Sequence, residues 1–239
     1  MARSPNQVDL EFIPKGLHDL GCVEMVKRLQ EVLERVDESR YEAILLGYAL
    51  CNNGLVGLHA RTRPLIVPRA HDCITLFLGS AARYTEVFNN NLGTYFKTTG
   101  WMERGETISG ELKQLTVQSK LGMDQSYEQL LAKYGEENAK YIWETMCDVH
   151  RNYTQFTFIE MGLEPDDSFE RRVREDAAAR GWKFLKIPGD MGLILRLVNG
   201  PWDDKEFLTV PPGHRVVASF DERIITTEIE KRIEKTEES

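Results

Sequence analysis

The alternation of short apolar, β-branched segments with amphipathic ones constrains this chain more than any other feature. Extended segments are predicted, in chain order, at residues 8–13, 41–50, 65–67, 153–159 and 182–187. Helical spacing of apolar residues lies between and after them, at 23–36, 102–121, 126–149, 167–180 and 193–197. Such alternation is typical of α/β proteins. We therefore predict a three-layer α/β fold with a mainly parallel sheet and helices on both faces.

The length of 239 residues suits one domain, and the sequence shows no repeat and no interdomain linker. We predict a single α/β domain over residues 1–220. Two strands, at 207–210 and 216–218, are expected to close it as a pair. Residues 221–239 are highly charged, which predicts a tail that is a solvated helix or a partly disordered end.

The charge balance excludes some functions. The chain carries 30 Lys+Arg against 38 Asp+Glu, a formal net charge of -8, whereas a general nucleic-acid binder needs a basic surface. No segment approaches the roughly 18–20 apolar residues that span a bilayer, and the first residues lack the apolar core of a signal peptide. We expect a cytoplasmic protein without nucleic-acid or membrane partners, whose four cysteines are reduced.

Residues that bind metals or carry protons follow each of the predicted strands. In chain order these residues are His18, Cys51, His71 with Cys73, Glu160 and Asp190. In an open parallel sheet, ligands bind beyond the carboxyl ends of the strands. If the strands share one sheet, these side chains converge on one edge without forming any local motif.

The chemistry of these side chains favours a metal centre. Thiolate and imidazole ligands suit zinc or iron, so we assign Cys51 and Cys73 as ligands, with His18 or His71 as a third. An iron–sulfur cluster is an alternative. Glu160 and Asp190 are the candidate catalytic proton carriers. Each residue alone also fits a structural role, because cysteine is common in protein cores and Asp190 suits a helix N-cap.

Four further residues are candidate substrate ligands. They are Asn52, Asn53, Arg69 and Trp101. Arginine recognises carboxylate and phosphate groups, and tryptophan can wall a pocket. Solvated loop charge and core packing are the competing interpretations of Arg69 and Trp101. Cys73 precedes a predicted helix, whose free N–H groups would lower a thiol pKa. Cys22 and Cys147 are interpreted as packing residues.

Four segments together resemble the bacterial and archaeal family called domain of unknown function sixteen thirty-eight. These are LGYALCNNGLVGL, RAHDCITLFLGS, TYFKTTGWME and Pro188-Gly189-Asp190, within a resemblance that runs from Val8 to Val217. The resemblance implies a role beside corrinoid-dependent methyltransferases and their corrinoid proteins, in one-carbon or methylamine metabolism. It also implies that the family's recurrent cysteines match Cys51 and Cys73, and that its Gly-Leu-His segment matches His18.

The sequence departs from the family pattern at its start. Members usually begin with a further strand that ends in a Cys-Glu pair, and no such strand precedes the matching segment here. The fold is therefore expected to lack the family's first strand, and a three-cysteine site would lack one ligand.

Three functions follow as hypotheses. The first is a thiolate-ligated metal protein or enzyme that acts on a small molecule, with corrinoid supplied only through a partner. The second is a non-catalytic accessory protein that docks on a methyltransferase or corrinoid protein through apolar surface near Trp101. The third is a metal-free enzyme with Cys73 as its nucleophile.

Overall fold

The structure is a computed structural model that describes residues 4–13, 15–51, 53–105, 126–144 and 152–230. It divides into two compact units. The first unit comprises Met1–Leu10, Cys22–Leu76 and Gly192–Ser239. The second comprises Glu11–Gly21 and Phe77–Met191. The single domain over residues 1–220 stays a prediction.

Helices and strands alternate along much of the described chain, which confirms the predicted α/β class. The α-helices are α1 (Cys22–Arg35), α2 (Ile74–Leu78), α3 (Ala81–Asn90), α4 (Thr99–Gly105), α5 (Tyr127–Tyr134), α6 (Glu136–Ile142), α7 (Ser168–Arg180) and α8 (Gly192–Asn199). The strands are β1 (Ile44–Leu45), β2 (Leu65–Pro68), β3 (Thr94–Lys97), β4 (Gln155–Glu160), β5 (Lys183–Pro188), β6 (Phe207–Val210), β7 (His214–Ala218) and β8 (Ile225–Ile229). None of the helices in these described ranges combines the length and apolarity that crossing a bilayer requires.

The first unit is built around a three-stranded sheet. Strand β1 pairs with β2 in parallel, and β2 pairs with β6 in antiparallel orientation. Helix α8 packs its apolar face on this sheet, in a core cluster formed by Ile66, Leu76, Leu193, Leu197 and Phe207. Strands β7 and β8 form a separate antiparallel pair.

The second unit contains an all-parallel sheet in the order β3-β4-β5. Helix α7 buries Val173 and Ala177, four residues apart on one helix face, against Phe156 and Phe158 of β4. The helix ends at Gly181, whose φ of 66° lies in the left-handed region that a helix C-cap requires. Here the sequence pattern, the cap and the structure agree.

Several predicted elements differ from the structure. Residues 8–13 are irregular and not a strand, and the alternating Leu10 and Phe12 are 51% and 89% exposed and not in the core. The long strand predicted at 41–50 is regular only at Ile44–Leu45. Strands β6 and β7 do not pair with each other. Instead β6 joins β2, and β7 pairs with a strand at Ile225–Ile229, inside the segment expected to be a charged tail.

Two helix predictions extend beyond the described residues. The helix predicted at 102–121 overlaps α4 only at its start, since residues 106–125 lie outside the description. The helix predicted at 126–149 begins as expected, with Ser126 and Gln129 forming a capping box at the start of α5. It is interrupted at Gly135, and Cys147 lies outside the described ranges.

Glu38 is a buried carboxylate, 4% exposed, that ties the end of α1 to the loop before β2. It accepts hydrogen bonds from the Thr62 side chain and from the backbone N–H groups of Thr62 and Arg63. Burial acts to raise the pKa of Glu38, but these hydrogen bonds and the nearby Arg61 outweigh it and leave the pKa below its ordinary value. The ionised form is therefore the stabilising one.

Replacing Glu38 with glutamine is expected to lower the free energy of unfolding by about 1–3 kcal/mol at neutral pH. Because the folded-state pKa is depressed, this contribution is complete above the ordinary value of 4.5 and is lost as the pH falls through the folded value. Urea unfolding of both proteins at neutral pH and at about pH 3 checks this. A stability difference that persists unchanged in acid would contradict it.

Candidate functional site

The segments that follow β1 and β2 stay side by side beyond the regular strands. The N–H of Leu50 donates to the carbonyl of Ala70 at 2.9 Å, and the N–H of Cys51 donates to the carbonyl of His71 at 3.0 Å. The two segments run in the same direction, so their ends reach the same place. This parallel course carries Cys51 to the segment that contains Cys73.

The sulfur atoms of Cys51 and Cys73 lie 3.4 Å apart, although the residues are 22 positions apart in sequence. A disulfide has a bond of about 2.05 Å, so the two cysteines are not disulfide-bonded and their thiols are in contact. Cys51 is buried, at 6% exposure, whereas Cys73 is half-buried. The structure thus brings together the two cysteines that the sequence singled out; that they ligate a metal stays a prediction.

This pair of thiols, which we call the dithiol site, packs against two small side chains. Ala49 and Ala70 pack with Cys51 in one buried cluster, and Cys73 packs against it. The hydrogen bond with the Cys73 thiol, followed by burial, raises the pKa of Cys51 above its ordinary value. The site therefore holds Cys51 as a neutral thiol, which a bound metal cation would convert to a thiolate.

Tyr48 interacts electrostatically with both cysteines of the dithiol site, a connection that residue spacing did not predict. Its side chain is half-buried, and burial followed by the nearby Cys73 and Cys51 raises the pKa of Tyr48 to about 12. The phenol is therefore a hydrogen-bond donor at neutral pH. Residues three apart in a regular strand point to opposite faces, so spacing did not connect Tyr48 with Cys51.

The backbone at the dithiol site adopts an uncommon conformation. Cys51 and Asn53 have φ values of 38° and 63°, in the left-handed region that non-glycine residues seldom occupy. The turn is held by the N–H of Gly54, which donates to the carbonyl of Leu50 at 2.8 Å. Asn53 is exposed, while Asn52 lies outside the described residues. Strained backbone of this kind is common at functional sites.

The turn that follows Cys51 has no space for a side chain at Gly54. A Cβ there would lie 2.3 Å from Sδ of the buried Met25 and 3.0 Å from the carbonyl oxygen of Cys51. Gly54→Ala is therefore expected to lower the free energy of unfolding by about 1–3 kcal/mol in urea denaturation. Gly47→Ala is the matched control, because nothing lies within 4 Å of a Cβ at Gly47. Equal effects of the two substitutions would contradict this account of the turn.

Among the described residues, the structure does not place a third metal ligand together with the two thiols. They contain no group of three or more His, Cys, Asp and Glu side chains placed to hold a metal ion. His71 is exposed, and Asp72 accepts the N–H of Ile74 at 2.9 Å, at the start of α2. His18 lies in a 3₁₀ segment, Lys15–Leu20, of the second unit, and its side chain is outside the description. Its role as a ligand stays a prediction.

Arg69, a candidate substrate ligand, makes structural contacts within the first unit, and its role in substrate binding stays a prediction. It is 6% exposed, and four of its five N–H donors face protein oxygens. It donates to the carbonyl of Asp204 at 2.7 Å and to the carboxylate of Asp204 at 2.6 Å. It also donates to the carbonyls of Arg223 and Ile225. These contacts leave little capacity for binding a substrate anion.

The candidate proton carriers lie in the second unit, at the carboxyl ends of β4 and β5. The Glu160 carboxylate forms an ion pair with Lys186 at 2.7 Å. Asp190 is exposed, its N–H donates to the carbonyl of Phe77 at 2.8 Å, and its side chain lies against Gly79. Strands β1 and β2 belong to one sheet, and strands β4 and β5 belong to another. The candidate residues therefore do not follow the strands of a single sheet, as the sequence had suggested. The catalytic roles stay predictions.

Packing interpretations were given to two other residues, Trp101 and Cys22, and the structure supports only the first. The ring of Trp101, in α4, meets the ring of Phe77 edge to face with centroids 5.6 Å apart, which fits the packing interpretation. Cys22 was interpreted as a packing residue, but it is exposed. It is the first residue of α1, whose buried face begins at Met25.

Fold and site define an α/β protein in which a parallel strand pair ends at two touching thiols. The model of a family described as protein of unknown function, DUF1638, matches residues 12–198. This match covers most of the chain, and the chain belongs to that family. No curated protein and no solved structure matches the chain significantly.

Proposed function

We propose that Cys51 and Cys73 together bind a thiophilic transition metal, zinc or iron, and that the metal presents an open position to a small-molecule substrate. The observation that carries this proposal is the 3.4 Å separation of the two sulfur atoms. Two thiolates on one zinc ion, each about 2.3 Å from it, lie within roughly 4 Å of each other. The pair therefore needs little rearrangement to hold one ion.

The donor set supports a soft metal. Two thiolates without carboxylates favour zinc, iron or copper over magnesium or calcium. Two protein ligands leave further coordination positions for His71, water or a substrate sulfur or nitrogen. When bound, the metal would supply Lewis-acid activation of that substrate atom. The phenol of Tyr48, which interacts electrostatically with both cysteines, stays protonated at neutral pH and keeps its hydrogen-bond donor.

The biological setting rests on the family resemblance. We infer a role in corrinoid-linked one-carbon or methylamine metabolism, in which a corrinoid protein or methyltransferase is the partner and supplies the corrinoid. A thiolate-bound metal suits methyl-transfer chemistry, because it binds and polarises sulfur and nitrogen groups. We place the reaction in the cytoplasm, where thiols stay reduced.

Metal content tests the proposal directly. The full chain is purified without oxygen and its transition metals are measured, together with the Cys51→Ser/Cys73→Ser double variant and a Cys22→Ser control. The wild-type protein and the control are expected to carry about one ion per chain, and the double variant none. A wild-type protein that holds no more metal than the double variant contradicts the proposal.

Each of the two competing hypotheses predicts a different experimental result. If the protein holds no metal and a thiol reagent labels Cys73 rapidly and selectively, the result favours a metal-free enzyme with Cys73 as its nucleophile. Co-purification with a corrinoid protein that survives both cysteine substitutions would favour the docking role.

A further inference from the structure

The two thiols of the dithiol site touch without any intervening atom. Their sulfur atoms lie 3.4 Å apart, so they must approach by only about 1.4 Å to reach the length of a disulfide bond. The remaining described cysteine, Cys22, is an exposed residue of α1 with no such partner sulfur. Among the described cysteines, proximity therefore selects Cys51 and Cys73.

The backbone already holds these two residues next to each other. The hydrogen bond from the Cys51 N–H to the His71 carbonyl, at 3.0 Å, joins their segments beside the thiols. Ala49 and Ala70 are the small neighbours of the pair. A movement of the two sulfur atoms toward each other therefore displaces no bulky side chain of that cluster.

We propose that Cys51 and Cys73 form a reversible disulfide, which makes the dithiol site a redox switch. The oxidant is a small disulfide. The more exposed Cys73 sulfur attacks one sulfur of it, forming a mixed disulfide and releasing one small thiol. The Cys51 sulfur then displaces the second small thiol. The two protein thiols are oxidised, the small disulfide is reduced to two thiols, and the two protein thiol protons pass to those leaving thiols.

The switch would control access of metal to the site, and this consequence rests on the proposed function. A disulfide sulfur carries no thiolate charge, and metal binding needs the thiolate. Closing the bond therefore removes both protein sulfur ligands at once, and reduction restores them. A metal bound by both sulfurs conversely blocks disulfide formation.

The test uses the full chain, reduced, free of metal and treated with oxidised glutathione. Peptide mapping by mass spectrometry is expected to show a cross-link between Cys51 and Cys73 with the loss of two hydrogens. Two of the chain's four cysteines should become inaccessible to alkylation and return after dithiothreitol treatment. Cys22→Ser should behave like the wild type, whereas Cys51→Ser should stop at a glutathione adduct on Cys73.

The outcomes separate this inference from the proposed function. Cobalt(II), added to the protein in each state, serves as the spectroscopic probe of the metal site. A wild-type protein that keeps both thiols alkylatable, or stops at a glutathione adduct, overturns the switch even if the reduced protein binds cobalt. A reversible cross-link in a protein that binds no cobalt when reduced upholds the switch chemistry and rejects the metal site. Equal cobalt uptake by the reduced and cross-linked proteins would show that the disulfide does not control metal binding.

Discussion

Arg69→Ala is expected to lower the free energy of unfolding by about 3–5 kcal/mol, because several carbonyl oxygens lose a buried donor at a cost of about 1–3 kcal/mol each. The substitution leaves the carbonyls of Asp204, Arg223 and Ile225 without their buried donor. Those carbonyls lie before β6 and at the start of β8, so Arg69 ties both regions to the end of β2. Urea denaturation followed by circular dichroism measures the change.

An exposed arginine provides the matched control for this prediction. Arg215 forms an ion pair with Glu228 across the β7–β8 pair, and both side chains are about half exposed. Exposed ion pairs contribute about 0–1 kcal/mol, so Arg215→Ala should change stability little. If Arg69→Ala lowered the free energy of unfolding no more than Arg215→Ala, the buried hydrogen bonds of Arg69 would not be important for stability.

Cys73→Ser is expected to weaken metal binding by at least about 100-fold, since loss of partners outside the ligand shell already costs 10–100-fold. Serine replaces a soft thiolate with a hard hydroxyl that zinc and iron bind poorly. Cys51→Ser should have the same effect, because each substitution breaks the same two-sulfur site. Competition with a chromophoric chelator gives the dissociation constants.

Cys22→Ser controls for the general effect of removing a thiol, because Cys22 is exposed at the start of α1. It should bind metal as the wild type does. A loss of less than about tenfold, or 1.4 kcal/mol, in both Cys51→Ser and Cys73→Ser would show that the sulfurs are not the main ligands.

The sequence predicted correctly those helix ends that are stabilised by residues close to them in the chain. The capping box of Ser126 and Gln129 and the C-cap at Gly181 satisfy helix ends with neighbouring residues, so spacing alone reveals them. The α/β class follows from the same periodicity. Strand β8 was missed because residues 225–229 are half polar, and their strand depends on pairing with β7, which residue spacing does not encode.

The dithiol site was partly predictable from the sequence. The position of Cys51 and Cys73 after two successive strands suggested that they meet, and the parallel pairing of β1 and β2 supplies the physical reason. The role of Arg69 was not predictable, since its acceptors lie more than a hundred residues away in sequence. Tyr48 was missed because the left-handed turn at Cys51 interrupts the strand alternation.

X-ray absorption spectroscopy of the metal-loaded protein identifies the atoms bound to the metal, and so shows whether the sulfurs of Cys51 and Cys73 are its ligands. We expect two sulfur neighbours at about 2.3 Å for zinc in the wild type, and the loss of one of them in Cys73→Ser. A first shell of nitrogen and oxygen only, unchanged in Cys73→Ser, would contradict it.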